Sequence, residues 1–356
     1  MKIVVFAENK QADKINAPFV EVAKKVYKEE CLVWDSSCQK DLEYFAQNKD
    51  NRIYEKVLDY CYENDVEYLF IVYLHHPEYL IAELNVRNYK GSSLKTKIIY
   101  GSDWRLATIS DARIKALADL LREPCVYKMV NYSNIGEKAT YPKSLCWDIF
   151  WNNPKVVLSQ ALLYADVKRL PQEEARKKFN LPLDKFIYLF FGTMYYGKGL
   201  DILLNAMKKI EDRNILLFVS AASVRINYDL NFEDLKQENV IWNPNRVEDE
   251  EISYLFSACD AVVMPYRKTY LNCGSSVLTQ SCQAHKPSIV PNITPYQDLS
   301  MEHGLGVRFN VEDADSLALA MIDLRNNYSY FKNSATYDDY ICKIPSWEEF
   351  ITNLFK

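Results

Sequence analysis

The chain has no long apolar run. None of its segments approaches the stretch of about 18 apolar residues that a membrane-spanning helix requires, and Met1-Lys2 is followed only by Ile3 to Ala7 before Glu8 and Asn9. Neither a membrane span nor a secretory leader is therefore expected. Cysteine pairing is missing as well. Nine cysteines are scattered at 31, 38, 61, 125, 146, 259, 273, 282 and 342, an odd number with no CxxC pair. That pattern argues against a disulfide framework or a zinc site and for buried free thiols in a reducing, cytoplasmic compartment. A basic excess is absent: the net charge is −5, which gives no general case for nucleic acid as a partner. Glycine is scarce, nine residues in 356. No glycine-rich turn follows the first apolar run, so a GxGxxG dinucleotide site is not supported.

What is present is a regular alternation. Apolar runs at 3–7, 32–34, 68–74, 97–100 and 126–130 read as buried strands, with helical periodicity at 17–29, 49–63 and 110–122 between them. Around 152–183 the texture turns polar and is punctuated by Pro154, Pro171 and Pro182, and a linker is expected near 155–180. The alternation then resumes, with strands at 187–191 and 215–219 and helices at 200–210, 248–259 and 313–324. Strand–helix alternation in both halves predicts an α/β protein with two parallel-sheet domains, and 356 residues suffice for two cores. Pro345-Ser346-Trp347-Glu348-Glu349 opens a terminal helix with Ser346 and Glu349 as a capping box.

The organising stretch runs from Phe256 to Val290. Ala261-Val262-Val263-Met264 is a short continuous apolar run stopped by Pro265, as in a buried parallel strand. A loop from Tyr266 to Cys273 leads to Gly274-Ser275-Ser276, which open a helix through Val277 and Gln280. A glycine followed by two serines at a helix start offers free backbone N–H groups and hydroxyl donors, an anion cradle at the end of a sheet. The plainer reading is a serine-capped helix without a ligand. Six of the nine glycines (192, 197, 199, 274, 304 and 306) lie in this half, most of them in or beside such turns.

The stretch ACDAVVMPYR (258–267) with CGSSVLTQSCQAHKPSIV (273–290), and FGTMYYGKGLD (191–201) upstream, resemble the donor domain of GT-B glycosyltransferases of the retaining, GT4-like group. The resemblance is concentrated between about 185 and 325. It implies an N-terminal Rossmann-like acceptor domain over 1–160, a C-terminal Rossmann-like nucleotide-sugar domain over 161–340, and a C-terminal helix (341–356) packing back on the first domain. It further implies a nucleoside diphosphate sugar, UDP- or GDP-linked, as substrate, no cofactor, and transfer with retention to a glycan or lipid-linked glycan acceptor in polysaccharide or glycoconjugate synthesis. Lys198 matches the lysine that neutralises the leaving diphosphate. Where the family often has a second cation, this chain has Thr193, and Arg267 is the candidate replacement. The family's two glutamates fall on Asn272, facing the sugar, and Gln280, facing the ribose. Gly192, Thr193, Gly197, Gly274, Ser275, Ser276 and Val277 complete the expected donor site. In the first half, His76 and Asp103 follow strong strands and are expected to face the cleft.

Amides in place of both glutamates open an alternative of another class, a non-catalytic GT-B module acting as a binding or partner-stabilising subunit. A GT-B epimerase would need carboxylates around the donor sugar and is disfavoured. No metal motif is found; the DxD at Asp313-Ala314-Asp315 sits at an expected helix start, where acids serve as cap and dipole partner. The basic segment Arg87 to Lys97 offers a peripheral contact with a membrane surface, with a solvated loop as the plainer reading.

Overall fold

The computed structural model describes residues 1–6, 21–28, 31–33, 52–72, 74, 76–91, 94–102, 111–131, 153–158, 167–221, 228, 230–271, 275–293, 296, 304–332, 336–342 and 344–355. Two six-stranded sheets carry the fold. The first comprises β1 (Ile3–Phe6), β2 (Cys31–Val33), β3 (Tyr68–Ile71), β4 (Lys97–Ser102), β5 (Val126–Asn131) and β6 (Val156–Leu158), in the order β2-β1-β3-β4-β5-β6. The second comprises β7 (Phe186–Phe191), β8 (Ile215–Ser220), β9 (Val240–Asn243), β10 (Ala261–Val263), β11 (Ser288–Pro291) and β12 (Gly306–Phe309), in the order β12-β11-β10-β7-β8-β9.

Every pairing is parallel. Parallel sheets need helices on both faces, so their strands are apolar throughout; β1, β3 and β10 are buried along their whole length. Each sheet reverses direction once. In the second, the chain goes from β7 outward through β8 and β9, then returns to place β10 on the other side of β7. The connections leaving β7 and β10 therefore run to opposite sides of this strand pair, whose ends are the topological switch point, the place where α/β sheets bind ligands in a crevice.

A buried ion pair fixes the start of β7. Arg176, on the Gln172–Lys178 helix, donates from a guanidinium Nη to Asp260 Oδ2 at 2.7 Å and from Nε to Ala258 O at 2.9 Å. The same carboxylate oxygen accepts from the Ile187 backbone N–H at 2.7 Å, while Oδ1 accepts from Gln172 at 3.0 Å. The aspartate preceding the buried strand is thus a structural anchor between β10 and β7.

Two departures from the sequence reading follow from local chemistry. The segment read as a linker is structured at both ends: β6 joins the first sheet as a three-residue edge strand, and the Gln172–Lys178 helix packs on the second domain through Ala175. Three residues between prolines and polar groups carry too little periodicity to be read as a strand. The helix expected over 248–259 begins as a single 3-10 turn, Asp249–Glu251, capped by Glu248, before the α-helix Ile252–Ala258. Trp34 of the second expected strand lies outside the described residues.

The terminal helix Trp347–Leu354 has the capping box legible in the sequence, with Ser346 accepting from the Glu349 N–H and Glu349 accepting from the Ser346 N–H. It buries Phe350, Ile351 and Leu354 against Ile3, Val5 and Phe70 of the first sheet. Phe355 meets Tyr27 and Tyr68 edge to face, each at 5.4 Å. Lys128 closes the helix by donating to the carbonyls of Asn353 and Leu354 at 3.2 and 3.0 Å, a cation at the negative end of the helix dipole. Among the described residues no helix is long and apolar enough to cross a membrane.

Candidate functional site

The crevice at the β7 and β10 ends is built from the two quoted motifs. After β7 the chain passes Gly192, whose φ of 114° is closed to most side chains, and makes a 3-10 turn, Tyr196–Lys198. Gly199 ends that turn in the left-handed region at φ 66°. A Cβ on Gly199 would lie 1.9 Å from the Pro265 carbonyl oxygen, so only glycine lets the two loops touch. The loops are then joined by a backbone hydrogen bond from Arg267 N to Gly197 O at 3.0 Å.

This contact brings Lys198 to Tyr266. Its ammonium donates to the hydroxyl of Tyr266 at 2.9 Å and lies 4.5 Å from that ring's centroid. A methyl group placed on Gly192 would stand 3.8 Å from the same nitrogen. The Tyr266 hydroxyl also meets Ser275 Oγ at 3.0 Å. Ser275 is the N-cap residue of the helix by backbone position, yet its side chain makes no capping hydrogen bond. The plainer reading of the serines, a self-satisfied cap, is not what Ser275 does. A lysine ammonium, a serine hydroxyl and an eight-residue helix N-terminus thus converge on one crevice, a combination suited to an anion with several oxygens.

One turn into that helix, Gln280 is buried and its Oε1 has no hydrogen-bond partner. An orphaned buried acceptor is costly, and a ligand hydroxyl would satisfy it. Val277, also buried, packs into the core and offers a ligand its backbone only. Ser276, Thr193 and Gly192 are half-buried.

Arg267, read from sequence either as a second cation or as a partner in a salt bridge, makes an ion pair. Its guanidinium is held by Asp201 in an ion pair of 2.5 Å, donates to the Tyr196 carbonyl at 3.0 Å and lies 4.1 Å from the Tyr196 ring centroid. Asp201 is tied in turn to the Tyr228 hydroxyl, at 2.8 Å. Arg267 clasps the β10 loop to the start of the Leu200–Met207 helix. Asp201 was visible as the last residue of the upstream motif, but nothing local announced its partner 66 residues away.

In the first domain His76 sits just before the Pro77–Tyr89 helix, exposed, 3.4 Å from Glu78 and stacked on Tyr79. Asp103, Asn272 and Gly274 lie outside the described residues. Asp313 is the N-cap of the Ala314–Asn326 helix, accepting from Ser316 N at 2.9 Å, and Asp315 pairs with Lys209; the DxD is a helix start. Arg87, in the basic segment, is half of a buried pair with Glu83 at 2.8 Å and also reaches Asp59. Among the described residues no cluster of His, Cys, Asp or Glu is arranged to hold a metal. Tyrosine is what the sequence reading missed. Tyr266 stacks on Tyr270 at 4.2 Å, both meet Tyr296, and Tyr195 touches Tyr270 through their hydroxyls.

Residues 171–339 match the family described as glycosyl transferases group 1. The match spans the whole second sheet and both motifs. Anabaena HepE in complex with UDP has a similar structure, with a TM-score of 0.73 at 12% identity over 100% of this chain and 99% of that one. Sucrose-phosphate synthase from Thermosynechococcus elongatus follows at 0.70 and 13%, covering 100% and 98%. A glycosyltransferase from Rickettsia africae gives 0.69 and 12%, covering 99% and 96%. At these identities the likeness is one of fold, and the fold is GT-B, with two Rossmann-like parallel-sheet domains. No curated protein sequence matches this chain.

Proposed function

We propose that the chain is a glycosyltransferase that moves a sugar from a nucleoside diphosphate sugar to an acceptor hydroxyl with retention, in polysaccharide or glycoconjugate synthesis. The observation that carries this reading is the convergence of Lys198, Ser275 and the Ser276–Gln283 helix start on the crevice at the β7/β10 switch point. As the anomeric C–O bond breaks, negative charge grows on the departing diphosphate. A fixed ammonium and helix N–H groups in a site shielded from water are worth most at that moment. The acceptor oxygen forms the new C–O bond, and its proton passes to a leaving phosphate oxygen, so no separate general base is required. Gln280, with its unpaired acceptor, takes a ribose hydroxyl. Gly192, Thr193, Gly197, Ser276 and Val277 complete the donor pocket in this reading; Asn272 and Gly274 are assigned to it, and His76 and Asp103 to the acceptor, by the resemblance alone. HepE's complexes with UDP and with UDP-glucose make uridine nucleotides the first to try. The acceptor is a glycan or lipid-linked glycan, met in the cytoplasm or at the inner membrane face, and the reaction uses no metal.

The amides at Asn272 and Gln280 favour a second reading, a binding or partner-stabilising GT-B subunit without turnover. Thermal shift against UDP, GDP, ADP, TDP and CMP, followed by product analysis with the matching sugar nucleotide, separates the two. A ligand at 100 times its dissociation constant stabilises by about 2.7 kcal/mol. Stabilisation by one nucleoside diphosphate, lost in Lys198→Ala, with transfer to an acceptor, is the expected result. Stabilisation without transfer, hydrolysis or isomerisation of the sugar supports the non-catalytic subunit. No stabilisation by any nucleotide removes the donor site.

A further inference from the structure

We infer that Tyr266 is a positioning residue whose hydroxyl relays the charge of Lys198 to Ser275, so that the ammonium and the serine act on a bound diphosphate as one unit. The inference rests on the donor-site reading and goes beyond it, since Tyr266 need not touch the nucleotide.

The first step of the relay has its direction fixed by the atoms. An ammonium has donors and no acceptor, so the 2.9 Å contact has Lys198 donating to the phenol oxygen. The phenol has a single proton, and the relay places it on the 3.0 Å contact with Ser275 Oγ, in which either oxygen can donate. The serine proton then points onward, and in the unliganded protein it lies toward the Met264 sulfur at 3.8 Å, a weak acceptor. A phosphate oxygen would replace a poor acceptor with a charged one. Hydrogen bonds in series polarise each other in a low-dielectric site, so the ammonium makes Ser275 a stronger donor than a lone serine.

The tyrosine is rigid enough for this role. Its ring is buried, stacked on Tyr270 at 4.2 Å and edge-on to Tyr296 at 5.4 Å. Its position is fixed by Pro265, whose carbonyl packs on Gly199 of the lysine loop. The loop with Lys198 and the helix with Ser275 are separated by more than 70 residues of chain, and the phenol is where they meet.

The test is calorimetric titration of UDP, GDP and ADP, and of the matching nucleosides, into wild type, Tyr266→Phe, Lys198→Ala and the double variant. Phenylalanine keeps the stacked ring and removes only the hydroxyl. Diphosphate affinity in Tyr266→Phe should fall by about tenfold, the scale of one hydrogen bond to a charged group, while nucleoside affinity stays at the wild-type value. Lys198→Ala should cost less in the Tyr266→Phe background than in wild type, because the relayed part of its effect is already cut while its direct attraction for the diphosphate remains. Ser275→Ala reads the same relay from its other end and changes no buried ring. Unaltered diphosphate binding in Tyr266→Phe, whatever Ser275→Ala does, or losses that simply multiply in the double variant, would overturn the relay and leave the donor site standing. Equal loss of nucleoside and diphosphate binding marks Tyr266 as merely structural and overturns it too. If wild type binds no nucleoside diphosphate, the donor-site reading fails and the relay with it.

Discussion

Replacing Asp260 with alanine strikes the joint between the two strands that frame the crevice. Asp260 is buried, and its carboxylate receives three donors: Arg176 and the Ile187 N–H at 2.7 Å, and Gln172 at 3.0 Å. Arg176 is also buried, its other N–H groups directed at the carbonyls of Ala258, Pro182 and Leu183. Those carbonyls solvate the cation only in part, so the variant leaves a buried positive charge without its counter-ion. Removing one partner of a buried pair costs about 3–5 kcal/mol, and the stranded Ile187 N–H falls within that figure. A typical domain has only about 5–15 kcal/mol in all. The double variant Arg176→Met, Asp260→Ala removes the buried charge altogether and should recover part of the loss. The assay is native-state hydrogen exchange on peptides covering β7, which reports the local opening without assuming that both domains unfold together. Exchange of the β7 amides should accelerate by about 100- to 1,000-fold or more, since each 1.4 kcal/mol is tenfold. An acceleration below about tenfold, or a double variant as unstable as the sum of the singles, would refute the argument that this pair anchors β10 to β7.

Gly199→Ala should cost about 2–4 kcal/mol, combining a left-handed backbone with a Cβ forced on the Pro265 carbonyl. The measurement is urea unfolding of the second domain, with loss of nucleotide binding if the donor-site reading holds. Ser346→Ala should weaken the terminal helix by about 1 kcal/mol and raise hydrogen exchange in residues 347–354 while leaving the second sheet unaffected. The pH dependence of the same cap has a definite sign. The Glu349 carboxyl is held below its usual value by the Ser346 backbone N–H, and then by the Ser346 hydroxyl. Its contribution is complete above the ordinary carboxylate range and lost as pH falls through its lowered native value, so Glu349→Gln should flatten the acid side of exchange in this helix. Burial pushes the Cys61 thiol up to about 12 and the Cys31 and Cys125 thiols to about 11. Alkylation at pH 8 with peptide mapping should label exposed Cys342 well before Cys61, Cys259 or Cys282; early labelling of Cys61 would contradict the packing of the first core.

The α/β character of both halves and the positions of the long strands were legible because fully buried parallel strands read as continuous apolar runs, as in Phe186–Phe191. Gly199 was legible only as one glycine of a turn; that its neighbour is the Pro265 carbonyl came from the fold. The capping box at Ser346 was legible because it is local, three residues long and made by the residues' own side chains. Short edge strands such as β6 escaped, since their pairing depends on a neighbour and not on their own pattern.

In the site, the resemblance named Lys198 and the helix-start turn named Ser275, and tertiary structure supplied Tyr266 as the residue between them. Sequence could offer Arg267 as a spare cation, but which carboxylate it meets depends on how the β10 loop lies across the Leu200–Met207 helix. The order of strands decided where the crevice opens: β10 crosses to the far side of β7, and no feature of either strand alone dictates that. Composition and local periodicity therefore determined which elements form and which turns were candidates for an anion. Only the packing of distant segments decided which of those residues share a site, because hydrogen bonds and ion pairs act over a few ångströms of space, whatever the distance along the chain.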